Sequence, residues 1–168
     1  AIMGKRTVLS AEEFDLGTGA VLAAFRTAAA GSAASNVRVT RVEIFQNGTT
    51  TLEMCRGEFA TRDTAGTLTL TATTPRTISP LGGAASGLTG NTAPVGAAGR
   101  SGTNSSADSG GAYVNIAYFN FANLNGYLFK PDPGEEIWVP PDTVFIVRLT
   151  ATPTGALDWG VSVWLVEN

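Results

Sequence analysis

The last third of the chain is a succession of strongly apolar runs separated by turn signals. Each run has the length of a β-strand, and the turns between them contain Pro or Gly, which fix or free the backbone. The runs span residues 112–121, 144–149 and 157–166. Strands divided by such turns at intervals of about 8–12 residues are typical of an antiparallel sandwich or barrel rather than an α/β fold. We therefore predict an all-β antiparallel β-sandwich, with a jelly-roll-like arrangement as the expected topology.

The middle of the chain, residues 37–78, also carries β-patterns. The alternation of valines that begins at Val37 shifts by one residue near Thr40-Arg41, which predicts a β-bulge there. Asn47-Gly48 follows, and this dipeptide is a strong signal for a hairpin. Residues 66–73 alternate apolar side chains with Thr, so this strand should bury one face and line the other with hydroxyls.

Two segments lack a clear pattern. Residues 1–36 are rich in Ala and are predicted to be an arm-like N-terminal segment, in which the S-x-x-E form of Ser10–Glu13 favours a helical turn. Residues 82–111 consist mostly of Gly, Ala, Ser, Thr and Asn and are predicted to be a long low-complexity loop. That loop is expected either to be a flexible insertion or to become ordered against a neighbouring subunit. The whole chain, 1–168, is predicted to be one domain.

The composition excludes several kinds of chemistry. The 168 residues contain no His and a single Cys, so a Ser-His-Asp triad, an imidazole metal site and an intrachain disulfide are all excluded. The net charge of −3 and the absence of a basic run argue against nucleic acid as a partner. No apolar stretch reaches the ~20 residues that span a bilayer, so we expect no membrane partner. We predict no catalytic residues, no cofactor and no metal site.

The apolar runs near the C-terminus carry apolar side chains on both faces, and such strands must be covered on both sides. In a sandwich one face packs on the opposite sheet, and the other must meet a loop, an arm or another subunit. This reasoning selects aromatic residues as candidates for intermolecular contact, and arginines are added because a guanidinium offers five donors and pairs with carboxylates. The candidates are Arg38, Arg41, Tyr113, Tyr118, Phe119, Trp138, Trp159 and Trp164.

Other interpretations of these residue types stay open. The aromatic side chains could stack on sugars, although core or subunit-interface positions are more typical of aromatics at strand spacing. Asp132, Glu135 and Glu136 lie in one turn and could bind Ca²⁺, but their spacing favours a solvated turn. A glycosidase would need two acids roughly 5–9.5 Å apart in a cleft, and no pair among the acidic residues is singled out by the sequence.

Four consecutive segments near the C-terminus resemble a known class of protein. They are Tyr127–Pro131, Glu135–Asp142, Phe145–Leu149 and Asp158–Glu167, and the Val139-Pro140-Pro141 turn before an apolar strand is the most specific feature. This pattern resembles the closing strands of small structural proteins of tailed bacteriophages, which are β-sandwich or jelly-roll domains. The resemblance covers roughly the last third of the chain.

The resemblance implies a non-enzymatic virion protein, most simply a capsid decoration or cement protein. Its partners would be the major capsid protein or other virion subunits and copies of itself in a symmetric oligomer such as a trimer. It would be located on the capsid surface after assembly in the host cytoplasm. The alternatives are a head or tail fibre domain that binds a host receptor or glycan and, third, a polysaccharide-degrading domain.

Overall fold

A computed structural model describes residues 4–17, 20–47, 51–62, 68–78, 85–108, 112–151, 153–155 and 157–168. These residues form thirteen β-strands, numbered β1 to β13 in chain order. The strands are Lys5–Phe14, Val21–Arg26, Val37–Gln46, Met54–Arg62, Thr69–Ala72, Arg76–Thr77, Thr89–Gly90, Arg100–Ala107, Val114–Ala122, Tyr127–Phe129, Ile137–Val139, Val144–Leu149 and Trp159–Glu167.

The strands form two sheets that pack face to face, which confirms the predicted all-β sandwich. The first sheet has the order β10-β3-β13-β1-β6, and β11 pairs with β3 beside β10. The second sheet has the order β5-β8-β2-β12-β4-β9, and the short β7 pairs with β8. The pairings are antiparallel apart from the β7–β8 pair, which is parallel. The first four strands alternate between the two sheets, since β1 and β3 lie in the first and β2 and β4 in the second.

The N-terminal segment is not an arm, because it supplies a strand to the interior of each sheet. β1 lies between β13 and β6, and β2 lies between β8 and β12. The predicted helical turn at Ser10–Glu13 is also wrong, since these residues belong to β1 and the Ser10 and Ser162 hydroxyls are 2.7 Å apart across the sheet. Pairing along β13 satisfies the backbone of this segment and overrides the local capping signal.

The low-complexity segment is ordered within its own chain over its described part, residues 85–108. β8 is an interior strand between β2 and β5, and its side chains Ser101, Thr103 and Ser105 are buried. The hydroxyl of Ser101 donates to the Thr73 carbonyl at 2.6 Å, so small polar side chains find partners inside the sheet. The prediction of a long loop is therefore wrong for this part, while residues 82–84 and 109–111 lie outside the described residues.

Three local predictions for the middle of the chain have different outcomes. The β-bulge is confirmed, because Trp164 pairs with Arg41 and Leu165 pairs with Val39, which leaves Thr40 as the extra residue. The tight hairpin at Asn47-Gly48 is wrong, because β3 and β4 lie in different sheets; Gly48 itself is outside the described residues. The predicted Thr-lined strand is confirmed over its described part, where the leucines at 68 and 70 are buried and the intervening Thr is exposed.

The main core lies between the sheets and contains aromatic and aliphatic side chains from both. The largest of these are Trp159, Phe25, Phe59 and Phe145, all at most 1% exposed. A second cluster covers the outer face of the second sheet, where Leu68 and Leu70 pack on Val144 and Ile146. Both faces of β12 are thus covered within the chain. The outer face of β12 therefore meets a segment of its own chain rather than another subunit, and β9 is the strand whose apolar side chains stay exposed.

Candidate interaction surfaces

β9 is a long edge strand whose outer side is uncovered. Its partner on one side is β4, and no described strand pairs with its other side. The remaining edge strands among the described residues, β5, β6, β7, β10 and β11, are two to four residues long, whereas β9 has nine. The sequence of β9, VNIAYFNFA, contains no charged residue and no Pro, two of the devices that protect a sheet edge, and its one irregularity is a bulge at Ile116.

Large apolar side chains of β9 are exposed to solvent. Val114 is 64% exposed, Ile116 is 41% exposed and Tyr118 is 73% exposed. These three residues are called the β9 surface below. Exposed single apolar residues are ordinary, but three on one uncharged edge strand form a surface that favours contact with another molecule.

The inward side of β9 fixes the strand firmly on the sandwich. The Phe119 and Tyr127 rings stack with centroids 4.1 Å apart and planes inclined by 10°, which connects β9 to β10 of the other sheet. Opposite Phe119, Gly57 leaves room for this ring, because a Cβ at that position would lie 2.3 Å from the Phe119 Cζ atom. The β9 surface is therefore presented by a rigid strand.

A buried polar cluster holds the start of β9 on the outer face of the second sheet. Glu58 is 3% exposed, and its carboxylate accepts hydrogen bonds from Arg148 Nε at 2.5 Å and from Asn115 Nδ2 at 2.7 Å. The Tyr113 hydroxyl donates to Asp108, and the Arg148 guanidinium carbon lies 3.9 Å from the Tyr113 ring centroid. Burial and the hydrogen bond to Asp108 raise the pKa of Tyr113, so the phenol stays neutral at physiological pH.

A groove of about 560 Å³ runs beside Tyr118 on the same face. The residues that line it are Arg56, Gly57, Glu58, Tyr118, Phe119, Asn120, Arg148 and Thr150. Its shape and mixed polarity suit a side chain of a second protein that packs against Tyr118.

The outer face of the first sheet carries two stacked Arg–Trp pairs. The Arg38 guanidinium carbon lies 5.2 Å from the Trp138 ring centroid, and that of Arg41 lies 4.5 Å from Trp164. The bulge at Thr40 makes this possible, because it returns Arg41 to the outward face that Arg38 occupies. These four residues are called the Arg–Trp surface.

The Glu136 carboxylate, whose pKa is lowered, lies beside the Arg–Trp surface, and the Trp138 indole within that surface is exposed. Hydrogen bonds from its own amide and from the Gly134 amide lower the pKa of Glu136, and the Arg38 charge adds to this effect. Trp138 is 55% exposed, and a groove of about 320 Å³ lies between Arg38, Glu136 and Trp164. Cation–π stacking fixes the arginines in place while leaving the surface open.

One end of the sandwich presents further exposed apolar side chains that sequence reasoning missed. They are Leu52, Met54, Leu124 and Leu157, between 45% and 67% exposed, and they are called the loop end. The loops are joined by Asn123, whose Nδ2 donates to Gln46 Oε1 and to the Thr51 carbonyl, both at 2.9 Å. Leu52, Leu124 and Leu157 lie in loops, where isolated apolar residues carry no periodicity, and Met54 is the first residue of β4, so no sequence signal identifies their exposure.

The structure separates the eight predicted contact residues into four groups. Arg38, Arg41, Trp138 and Trp164 lie together on the first sheet, and Tyr118 lies on the β9 surface. Tyr113 is part of the polar cluster and is only partly exposed. Trp159 and Phe119 are core residues, 0% and 7% exposed, and this corrects their selection as contact candidates. Both point inward because strand alternation places them on the face that packs between the sheets.

Comparison with protein-family models, with curated proteins and with solved structures gives no match for this chain. Function has to be argued from the surfaces themselves.

The described residues contain no group of three or more His, Cys, Asp or Glu side chains arranged to hold a metal ion. Within the same residues, no helix is long and apolar enough to cross a membrane. The single thiol, Cys55, is buried, and burial together with the charge of Glu53 raises its pKa to about 11. A thiol with such a pKa is a poor nucleophile at neutral pH, so Cys55 is a packing residue.

Proposed function

We propose that this protein is a non-enzymatic structural subunit of a tailed-bacteriophage virion, most simply a decoration or cement protein on the capsid surface. The observation that carries the proposal is the β9 surface, where Val114, Ile116 and Tyr118 are exposed on an uncharged edge strand. The resemblance of the C-terminal strands to phage structural proteins supports the same function. The alternation of strands between two sheets supports a jelly-roll arrangement, which we propose as the topology.

The proposed mechanism is mechanical reinforcement by burial of surface between subunits. Contact at the β9 surface would remove apolar area from water, at about 25 cal/mol per Å². Each contact is modest, but repetition over a symmetric shell makes the sum large. The partners of this protein would be the major capsid protein or other virion subunits and further copies of this chain, and assembly would take place in the host cytoplasm.

The direct test is to add the purified full chain to virions that lack it and to measure the temperature at which they release DNA. We expect a higher release temperature and a fixed ratio of this chain to the major capsid protein. Tyr118→Lys is expected to lose this effect, and Val95→Lys, a change at a 50%-exposed apolar residue outside the three surfaces and away from β9 and β10, is the matched control. An unchanged release temperature with the wild-type chain would contradict the cement function.

A fibre domain that binds a receptor glycan is the second candidate, and the Arg–Trp surface favours it. Trp138 offers an exposed ring for stacking on a sugar, and Arg38 beside it offers donors to an acidic group. Binding to a glycan array that is lost in Trp138→Ala and kept in Leu128→Ala would support this candidate. An array without bound glycans would remove it.

A further inference from the structure

We propose that the β9 strands of two copies of this chain pair antiparallel across a two-fold axis and join their second sheets into one continuous sheet. The inference deepens the proposed function and rests on it in one respect, since both assign the β9 surface to subunit contact. The proposed two-fold dimer differs from the trimer that the resemblance implies. It is inferred from the properties of one edge strand, β9.

The backbone of β9 favours another strand as its partner. On an edge strand, N–H and C=O groups along the outer side have no ladder partner, and a second strand satisfies them in series. A nine-residue strand offers roughly 30 Å of such edge. The short edges elsewhere among the described strands offer two to four residues each.

A second copy is the occupant that the charges favour. β9 has no charged residue, so two copies meet without like-charge repulsion along the strand. The nearest charges are Arg56 and Glu58 on β4 and Arg148 on β12, and Glu58 is already paired with Arg148. In a paired sheet the two β4 strands would be three strand spacings apart, roughly 14 Å, which exceeds the Debye length of about 8 Å at physiological salt.

The geometry of the strand places Tyr118 at the two-fold axis. Tyr118 is the middle residue of Val114–Ala122 and the most exposed large apolar side chain of the described residues, at 73%. An axis perpendicular to the sheet at this residue sets the two Tyr118 rings side by side, as an aromatic cross-strand pair. The bulge at Ile116 lies two residues from the axis, and residues 117–122 pair with β4 in regular register.

The area is adequate for a specific dimer. The side of the sandwich at β9 also includes β10 of the other sheet, because Phe119 stacks on Tyr127. The two sheets lie about 10 Å apart. With their side chains they give this edge of the sandwich a surface of roughly 30 by 20 Å, on the order of 600 Å² per copy. Specific interfaces bury about 800 Å² per partner, with weaker ones below this, so the dimer is expected to be reversible.

The test is the molar mass of the full chain measured by sedimentation equilibrium over a concentration series. We expect the wild-type chain to approach twice its 17.3 kDa mass. Tyr118→Lys places two cations at the axis and should raise the dimer dissociation constant roughly tenfold or more. Leu157→Lys, a similar change at the 60%-exposed loop-end residue, should leave it unchanged. Circular dichroism checks that both variants are folded.

A cysteine at the axis gives a second readout that does not depend on the lysine variant. Tyr118→Cys should form a disulfide-linked dimer under mild oxidation, while the wild-type chain should not, because its Cys55 is buried. A wild-type chain that stays monomeric, or a dimer that Tyr118→Lys leaves intact, would overturn the inference. A monomer that still joins virions contradicts only the dimer, and a dimer absent from virions contradicts only the proposed function.

Discussion

The ion pair between Glu58 and Arg148 gives the sharpest prediction about stability, because its two partners differ in burial. The side chain of Glu58 is 4% exposed, and that of Arg148 is 27% exposed. Arg148→Met leaves a buried carboxylate that still accepts a hydrogen bond from Asn115, and the loss of a partner such as Arg148 costs about 3–5 kcal/mol. Glu58→Leu leaves a cation that still reaches water and still stacks on Tyr113, so we expect a loss of only about 1–3 kcal/mol.

The assay is urea unfolding followed by tryptophan fluorescence, with the double variant completing the cycle. Because the double variant leaves no uncompensated buried charge, it should be more stable than Arg148→Met alone. The same variants report on β9, since Glu58 also holds Asn115 at the start of that strand. Equal losses for the two single variants, or losses that simply add in the double variant, would refute the reasoning from burial.

Three further predictions concern other buried groups. Glu167→Ala removes a 3%-exposed carboxylate that accepts from the Thr7 hydroxyl and the Gly87 amide at 2.6 and 2.7 Å, so we expect a loss of about 2–4 kcal/mol in urea unfolding, with Glu167→Gln losing less. Gly102→Ala would place a Cβ 2.6 Å from the Cβ of Leu70 in the neighbouring strand, and thermal unfolding should show a loss of about 1–3 kcal/mol. Because burial raises the pKa of Cys55 from 9.0 to about 11, its contribution to stability is complete below pH 9 and is lost as the pH rises to 11, by roughly 2–3 kcal/mol. The stability difference between wild type and Cys55→Ala, measured at pH 8 and pH 11, should shift by that amount, and a constant difference would contradict the assigned cause.

The sequence predicts those features of the fold that are encoded by local alternation. The bulge at Thr40 and the Thr-lined strand around Leu70 follow from side-chain parity, which is a property of a few adjacent residues. β8 and the Ser10–Glu13 part of β1 could not be predicted in this way, because their small and polar residues form strands only through pairing with β2, β5 and β13. Ser101, for example, is buried because the Thr73 carbonyl accepts its hydroxyl, and that partner is 28 residues away.

The candidate surfaces also divide into features that local alternation predicts and features that depend on how distant strands pair. Arg38 and Arg41 were predictable as outward residues from the shift in parity. Trp159 and Phe119 were not distinguishable from Tyr118, because two-sided apolar strands give no sign of which face the second sheet covers. The exposure of the β9 surface depends on the position of β9 at the sheet edge, which is a property of strand order rather than of composition.

Hydrogen–deuterium exchange of the backbone amides in residues 114–122 tests the central claim most directly, namely that β9 is completed by another molecule. The exchange should be compared between the dilute chain and its native assembly. We predict that amides on the outer side of β9 exchange rapidly in the dilute chain and become strongly protected in the assembly. Equal exchange in the two states would show that β9 stays an open edge and would contradict the account.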